Sequence, residues 1–137
     1  MKYWISGFSA LVLGWVLAAS PVMAHHSFSA EFDNTKRVTL KGFVTKVEWT
    51  NPHVWFYTNV KDEKSGQITN WGFEMGPPHL LQGGGWTRTT MKLGDEVIVT
   101  GSLAKNGSKR VNASNVVLAS TGQKMGTSSS ENTPGQQ

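Results

Sequence analysis

Apolar and polar positions alternate with period two from Val38 onward, with Val38, Leu40 and Val44 interleaved with Thr39, Lys41, Phe43 and Thr45. Period two predicts a β-strand, whose successive side chains point to opposite faces. Val47 and Trp49 resume on the other parity, so a bulge is expected near Lys46. Asn51-Pro52 marks a bend, because proline fixes φ and donates no ladder hydrogen bond. His53 to Val60 predicts a second strand and Gln67 to Met75 a third, joined across the polar stretch Lys61 to Gly66. His79, Leu80 and Leu81 predict a short helix, bounded by Gly76-Pro77-Pro78 and Gly83-Gly84-Gly85. Thr87 to Leu93 carries no decisive period and admits a helical turn. Gly94-Asp95 then turns into a fourth strand, Glu96 to Leu103. Asn106-Gly107 is the strongest hairpin signal, suggesting a type I′ turn before a fifth strand from Arg110 to Ala119.

Three strands, a short helix and two further strands fit an all-β fold, a small five-stranded OB-like barrel with its helical connection between strands 3 and 4. An open β-sandwich is the second choice. Beyond Thr121 the chain turns to Ser, Thr, Gly, Gln and Asn without apolar periodicity, so residues 122–137 are expected to be disordered. No internal repeat is visible.

The first 24 residues follow a different pattern. Lys2 precedes an uncharged apolar run from Trp4 to Ala19, and Ser20-Pro21 leads to Val22-Met23-Ala24. A positive start, an apolar stretch and a small-residue exit predict an export signal cleaved after Ala24. The run is shorter than the roughly 20 residues of a spanning helix, so no membrane association is expected once it is removed. The expected organisation is therefore a signal peptide at 1–24, an OB-like domain with an N-terminal arm at 25–121, and the tail. The expected compartment is the bacterial periplasm.

Composition narrows the chemistry. The 137 residues include no cysteine, which excludes disulfides, thiolate metal sites and a cysteine nucleophile. A formal charge of +4, with one unit lost alongside Lys2, is too small to point to nucleic acid, and export argues the same way. The elbow of serine hydrolases, phosphate-cradling glycine loops and the His-Glu-x-x-His zinc motif are all missing from the sequence. Glu31, Asp33, Glu48 and Glu74 show no evident pairing along the chain. A non-catalytic binding role follows.

Histidine is the informative residue type. Cleavage after Ala24 makes His25 and His26 the first two residues. An N-terminal histidine offers two nitrogens, its α-amine and its ring Nδ1. One more imidazole in the same plane, from His26 or His53, completes a T-shaped three-nitrogen set that suits copper, with zinc as the other candidate ion. The amino-terminal copper motif with histidine at position three does not apply, because that position is Ser27. His53 has a plainer explanation at a strand start, where its ring can cap a carbonyl. His79 lies among glycines and prolines and reads as a loop residue.

Along the second strand His53, Trp55 and Tyr57 share one face, and Val54, Phe56, Thr58 and Val60 share the other. The aliphatic side is the expected core. The aromatic side offers Trp55 and Tyr57 as a ligand surface, because the second and third strands of this barrel class carry its usual binding face. Two functions follow. One is a periplasmic copper-binding protein acting as carrier, buffer or sensor through His25, His26 and His53. The other is an interaction module binding a glycan, peptide or partner protein through Trp55 and Tyr57.

Several stretches together resemble a family of small exported bacterial proteins of unknown function. They are Ala24-His25-His26-Ser27-Phe28, Glu31-Phe32-Asp33, Leu40-Lys41-Gly42, Val44-Thr45-Lys46-Val47-Glu48-Trp49, Asn51-Pro52-His53-Val54-Trp55, Gly76-Pro77-Pro78, Gly85-Trp86-Thr87-Arg88 and Gly94-Asp95-Glu96-Val97. The likeness spans roughly Ala24 to Leu118. It implies a periplasmic, barrel-like protein without an assigned activity, and His25, His26 and His53 match its characteristic histidines. His79 departs from the family pattern. The triple glycine stands where that pattern is more basic, which argues against an anionic ligand near Trp86 and Arg88.

Overall fold

The computed structural model describes residues 28–132. Positions 1–27, with the expected export signal, His25 and His26, lie outside the described residues, as do positions 133–137. The chain opens with a single helical turn, α1 (Phe28–Glu31), followed by β1 (Phe32–Glu48), β2 (Trp55–Lys61) and β3 (Ile68–Glu74). Next come α2 (Pro78–Gly83), β4 (Glu96–Ala104), β5 (Arg110–Leu118), β6 (Gln123–Gly126) and a short 3-10 turn, Ser130–Asn132. The protein is thus mostly β, as the alternation predicts. Among the described residues no helix is long and apolar enough to cross a membrane.

The sheet order is β3-β2-β1-β4-β5-β6, antiparallel throughout, and a parallel β3–β5 pairing closes the first five strands on themselves. β1 makes this closure possible. Its 17 residues pair with β4 over Phe32–Phe43 and with β2 over Gly42–Glu48, so one strand serves two neighbours. The register against β2 slips between Val44 and Lys46, which is the bulge that the parity change predicts. β1 begins earlier than Val38 because Phe28 and Phe32, both buried, stack at 5.9 Å and tie α1 to the strand.

The core fills the ring. Val54, just before β2, and Phe56 and Thr58 within it point inward as expected, and Phe56 stacks on Phe73 of β3 at 4.9 Å. Val97 and Val99 of β4 and Val111, Ala113 and Val116 of β5 complete it. Leu81 of α2 and Trp86 are buried in the same cluster. The connection after β3 is therefore part of the core and covers apolar surface.

Three details depart from the sequence expectations. The Asn106-Gly107 hairpin forms, but Gly107 alone takes a positive φ, of 78°. The turn is thus not type I′. The Asn106 side chain instead accepts a hydrogen bond from Ser108 N at 3.0 Å, and the loop runs from Lys105 to Lys109. The described residues form six strands where five were expected. The sixth lies in the segment expected to be disordered, whose described part is built into the fold with Met125, Thr127 and Ser129 buried.

The reason is a vacant sheet edge. β5 uses one edge for β4 throughout. On its other edge it pairs with β3 only over Arg110–Asn112, because β3 ends at Glu74 and the chain after it bonds to Val54 and Thr127. From Ala113 on, that edge would expose unpaired amides and carbonyls. β6 takes it over, pairing with Asn115–Leu118. Between them Thr127 Oγ1 donates to the Ala113 carbonyl, and Trp86 Nε1 donates to the Gly126 carbonyl at 2.8 Å. Arg37 of β1 then clasps Glu131 through both carboxylate oxygens at 3.0 Å. Polar pairing to an existing edge orders a segment that apolar periodicity does not mark.

Deleting residues 123–137 should lower the unfolding free energy in urea by roughly 2–4 kcal/mol. A few net hydrogen bonds of about 1 kcal/mol each and the burial of one methionine are lost. An unchanged urea midpoint and slope would show that this segment contributes nothing.

Candidate functional site

The outer face of β2 begins where the chain leaves the Asn51-Pro52 bend. Trp55 lies opposite Glu74 of β3, and Tyr57 lies opposite Gly72. His53, two residues before Trp55, is therefore the diagonal neighbour of Glu74, within reach of long side chains. Its Nδ1 meets Glu74 Oε1 at 2.8 Å. Glu74 is 5% exposed, because Phe73, Glu74 and Met75 are all buried where the strand end passes beneath the closing segments.

His53 is partly buried, which disfavours its charged form, but the hydrogen bond to Glu74 outweighs this and raises its pKa above the ordinary imidazole value of 6.5. The charges of Glu74 and Glu31 act in the same direction. Glu31, at the end of α1, thus acts on the same ring as Glu74, which stands at the end of β3. The Nδ1 contact also sets the ring's orientation, directing Nε2 away from Glu74. A carboxylate behind one ring nitrogen is the arrangement by which metal-binding histidines are commonly held.

Tyr57 and Trp55 lie beside this pair. Gly72 gives them room, since a Cβ there would stand 3.2 Å from the Tyr57 ring and 3.7 Å from the indole of Trp55. Each ring carries a cation. Lys46 Nζ stands 5.5 Å from the Tyr57 centroid, and the Arg110 guanidinium stands 5.4 Å from that of Trp55. Tyr57 O–H donates to Glu48 Oε2 at 3.0 Å. The hydrogen bonds from Lys46 and Tyr57 hold the Glu48 carboxyl below its usual range, and burial raises that of the Tyr57 phenol. Both aromatic side chains are half-buried and already engaged within the protein.

Of the residues expected to form a site, His53, Trp55 and Tyr57 are brought onto one face. His25 and His26 lie outside the described residues. His79 is exposed on α2, the short helix expected over His79 to Leu81, and not in the loop its glycine and proline neighbours also suggested. Among the described residues no group of three or more histidines, cysteines or acidic side chains is arranged to hold a metal. Sequence reasoning missed Glu74. Its pairing with His53 depends on the register of β2 against β3, which no local signal encodes. The missed partners of Glu48 were nearer, Lys46 two residues before it on β1 and Tyr57 across the strand pair.

A family model matches residues 14–113, a stretch that includes β1 to β4, the bend and the His53–Glu74 pair. The chain belongs to the DUF6152 family. This is described as a family of unknown function. No curated protein matches the sequence.

An NMR titration should place the His53 pKa above 6.5, and Glu74→Gln should lower it by removing the charge behind Nδ1. Because the folded value is the higher one, the pair's stabilisation is fully present below the unfolded pKa and fades as pH rises through the folded value. A wild-type ring titrating at or below 6.5 would contradict the geometry.

Proposed function

We propose that this DUF6152 protein is an exported, periplasmic metal-binding protein that handles copper as carrier, buffer or sensor. Cleavage after Ala24 would free the α-amine of His25. That amine and the His25 ring supply two nitrogens, with His26 and His53 completing the set, and such nitrogen-rich tetragonal sites favour Cu(II). Zinc is the competing ion, because imidazole suits both.

The observation that carries the reading is the His53–Glu74 pair, with Glu31 adding its charge at the same ring. The carboxylate orients the imidazole and strengthens it as a donor, and Nε2 is the nitrogen for an ion. Two residues, His26 and Ser27, separate His25 from Phe28, and the three backbone steps span about 10 Å when extended. The closed ring with a helix between its third and fourth strands supports the finer fold reading, an OB-like barrel extended by β6. On this reading the protein performs no chemistry of its own.

Metal analysis and N-terminal sequencing of the protein purified from the periplasm test ligation and processing together. The form beginning at His25 should bind Cu(II) tightly, and N-acetylation should remove the tight site by blocking the amine. His53→Ala should weaken binding, and Glu74→Gln should weaken it roughly tenfold, the lower end of the usual range for a group behind a ligand. Equal Cu(II) affinity in the free and blocked forms defeats the proposal.

A second reading rests on the half-exposed Trp55 and Tyr57, a face for a glycan, peptide or partner protein. Under it, Trp55→Ala abolishes capture of a glycan or peptide ligand while chelators and His25→Ala leave capture intact. Loss of capture on chelation would favour the metal reading.

A further inference from the structure

Around the edge of the ring from His53, α1, the start of β1 and the β4–β5 hairpin enclose a cavity of about 360 Å³. This lies at the small end of the range for small-molecule pockets. Its lining includes Glu31, Lys105, Asn106, Ser108 and Arg110. We infer that this cavity binds a small carboxylate-bearing molecule, with Arg110 as its principal anchor. The inference does not rest on the copper reading.

Arg110 is pre-organised for that task. It begins β5 opposite Gly72, and its guanidinium stands over the Trp55 ring at 5.4 Å. Lys109 is set in the same way over Trp71 at 5.1 Å, and its carbonyl accepts a hydrogen bond from Gly72 N at 3.0 Å. The hairpin end is thus fastened to β3 at consecutive residues. A guanidinium presents its N–H groups in a planar fork, the geometry that meets a carboxylate with two parallel hydrogen bonds. Among the described residues Arg110 makes no ion pair, in contrast to Arg37, which holds Glu131.

The neighbouring groups add donors. Lys105 spends one of its N–H bonds on the Ser29 carbonyl. The Asn106 side-chain oxygen is engaged by Ser108 N, leaving its amide nitrogen to donate. The Ser108 hydroxyl is buried without any hydrogen-bond partner, one of two such groups among the described side chains. An orphan of that kind calls for an explanation. Ser108 is part of the cavity lining, and a bound carboxylate oxygen is the kind of acceptor its hydroxyl lacks. Glu31 is the acidic group in the lining, so a compact ligand with its carboxylate at the Arg110 end fits better than one charged all round.

The test is an NMR titration of the purified, metal-free protein with butyrate, against sulfate at matched ionic strength. Butyrate should shift the amide signals of residues 104–110 and saturate, and sulfate should not. Arg110→Ala should weaken binding more than about tenfold, as expected for a charge-assisted bidentate contact. Arg110→Lys, which keeps the charge but not the fork, should also weaken it. Ser108→Ala should cost a few-fold and leave the melting temperature unchanged or higher, since it removes an unpaired buried hydroxyl. Non-saturating shifts, an equal response to sulfate, or wild-type affinity in both Arg110 variants would overturn the inference. Copper affinity measured separately on the same preparation tells its failure apart from that of the metal reading.

Discussion

Three residue pairs hold this sheet closed. Gly72, Phe73 and Glu74 of β3 lie parallel to Arg110, Val111 and Asn112 of β5, and that seam closes the sheet. Val111 and Phe73 carry its inner side into the core with no residual exposure. Its outer side carries chemistry at each register position. Gly72 makes room for aromatic rings, Arg110 crosses to Trp55, and Glu74 reaches His53. Because the seam is short, it also dictates what must cover the remainder of β5. The same constraint therefore accounts for the placement of the site residues and for the ordering of β6.

The charges follow from this closure. A carboxylate such as Glu74 is costly to bury alone, and a hydrogen-bonded imidazole partner reduces that cost. The partner comes from the bend before β2, next to Val54, whose backbone bonds to Met75 and Gly76 and so sets the ring beside the strand end. Glu31 adds a second negative charge from α1, which the stacked Phe28 and Phe32 hold against the sheet. The His53 ring consequently lies in a field that favours cations, whether a proton or a metal ion. The hairpin side of the same region carries Lys105 and Arg110 and favours anions. Two zones of opposite sign thus adjoin along one rim of the ring, with Glu31 as the residue common to both.

The strands, the bulge at Thr45, the bend and the short helix are legible in the sequence because each has a local physical cause. Alternation marks the strands, a parity change marks the bulge, and prolines and glycines bracket α2. The inward set Val54, Phe56 and Thr58 is legible for the same reason. The His53–Glu74 pair is not, because it depends on which residues of β2 and β3 stand opposite each other. The cations over Trp55 and Trp71 are equally hidden, coming from a hairpin nearly forty residues or more further along the chain. The ordering of residues 123–132 escapes composition altogether. What orders them is an edge of β5 left vacant by the end of β3, and only the closed sheet reveals that vacancy.

The position of α1 bears on both site readings. Lys105 N donates to the Glu31 carbonyl at 2.8 Å, and the Lys105 side chain holds the Ser29 carbonyl, so the β4–β5 hairpin grips the turn from outside. Phe28 and Phe32 anchor it from inside. A four-residue helix has almost no stability of its own. Its geometry is therefore imposed by the sheet at both ends, and the chain preceding Phe28 starts from a fixed point. On the proposed copper reading, with His25 freed by cleavage, fixing that point would lower the entropy cost of bringing its nitrogens toward the His53 ring. On that reading the hairpin would contribute to a metal site it does not touch, and loosening the grip of Lys105 would weaken the site while the Glu74 contact at Nδ1 stayed in place.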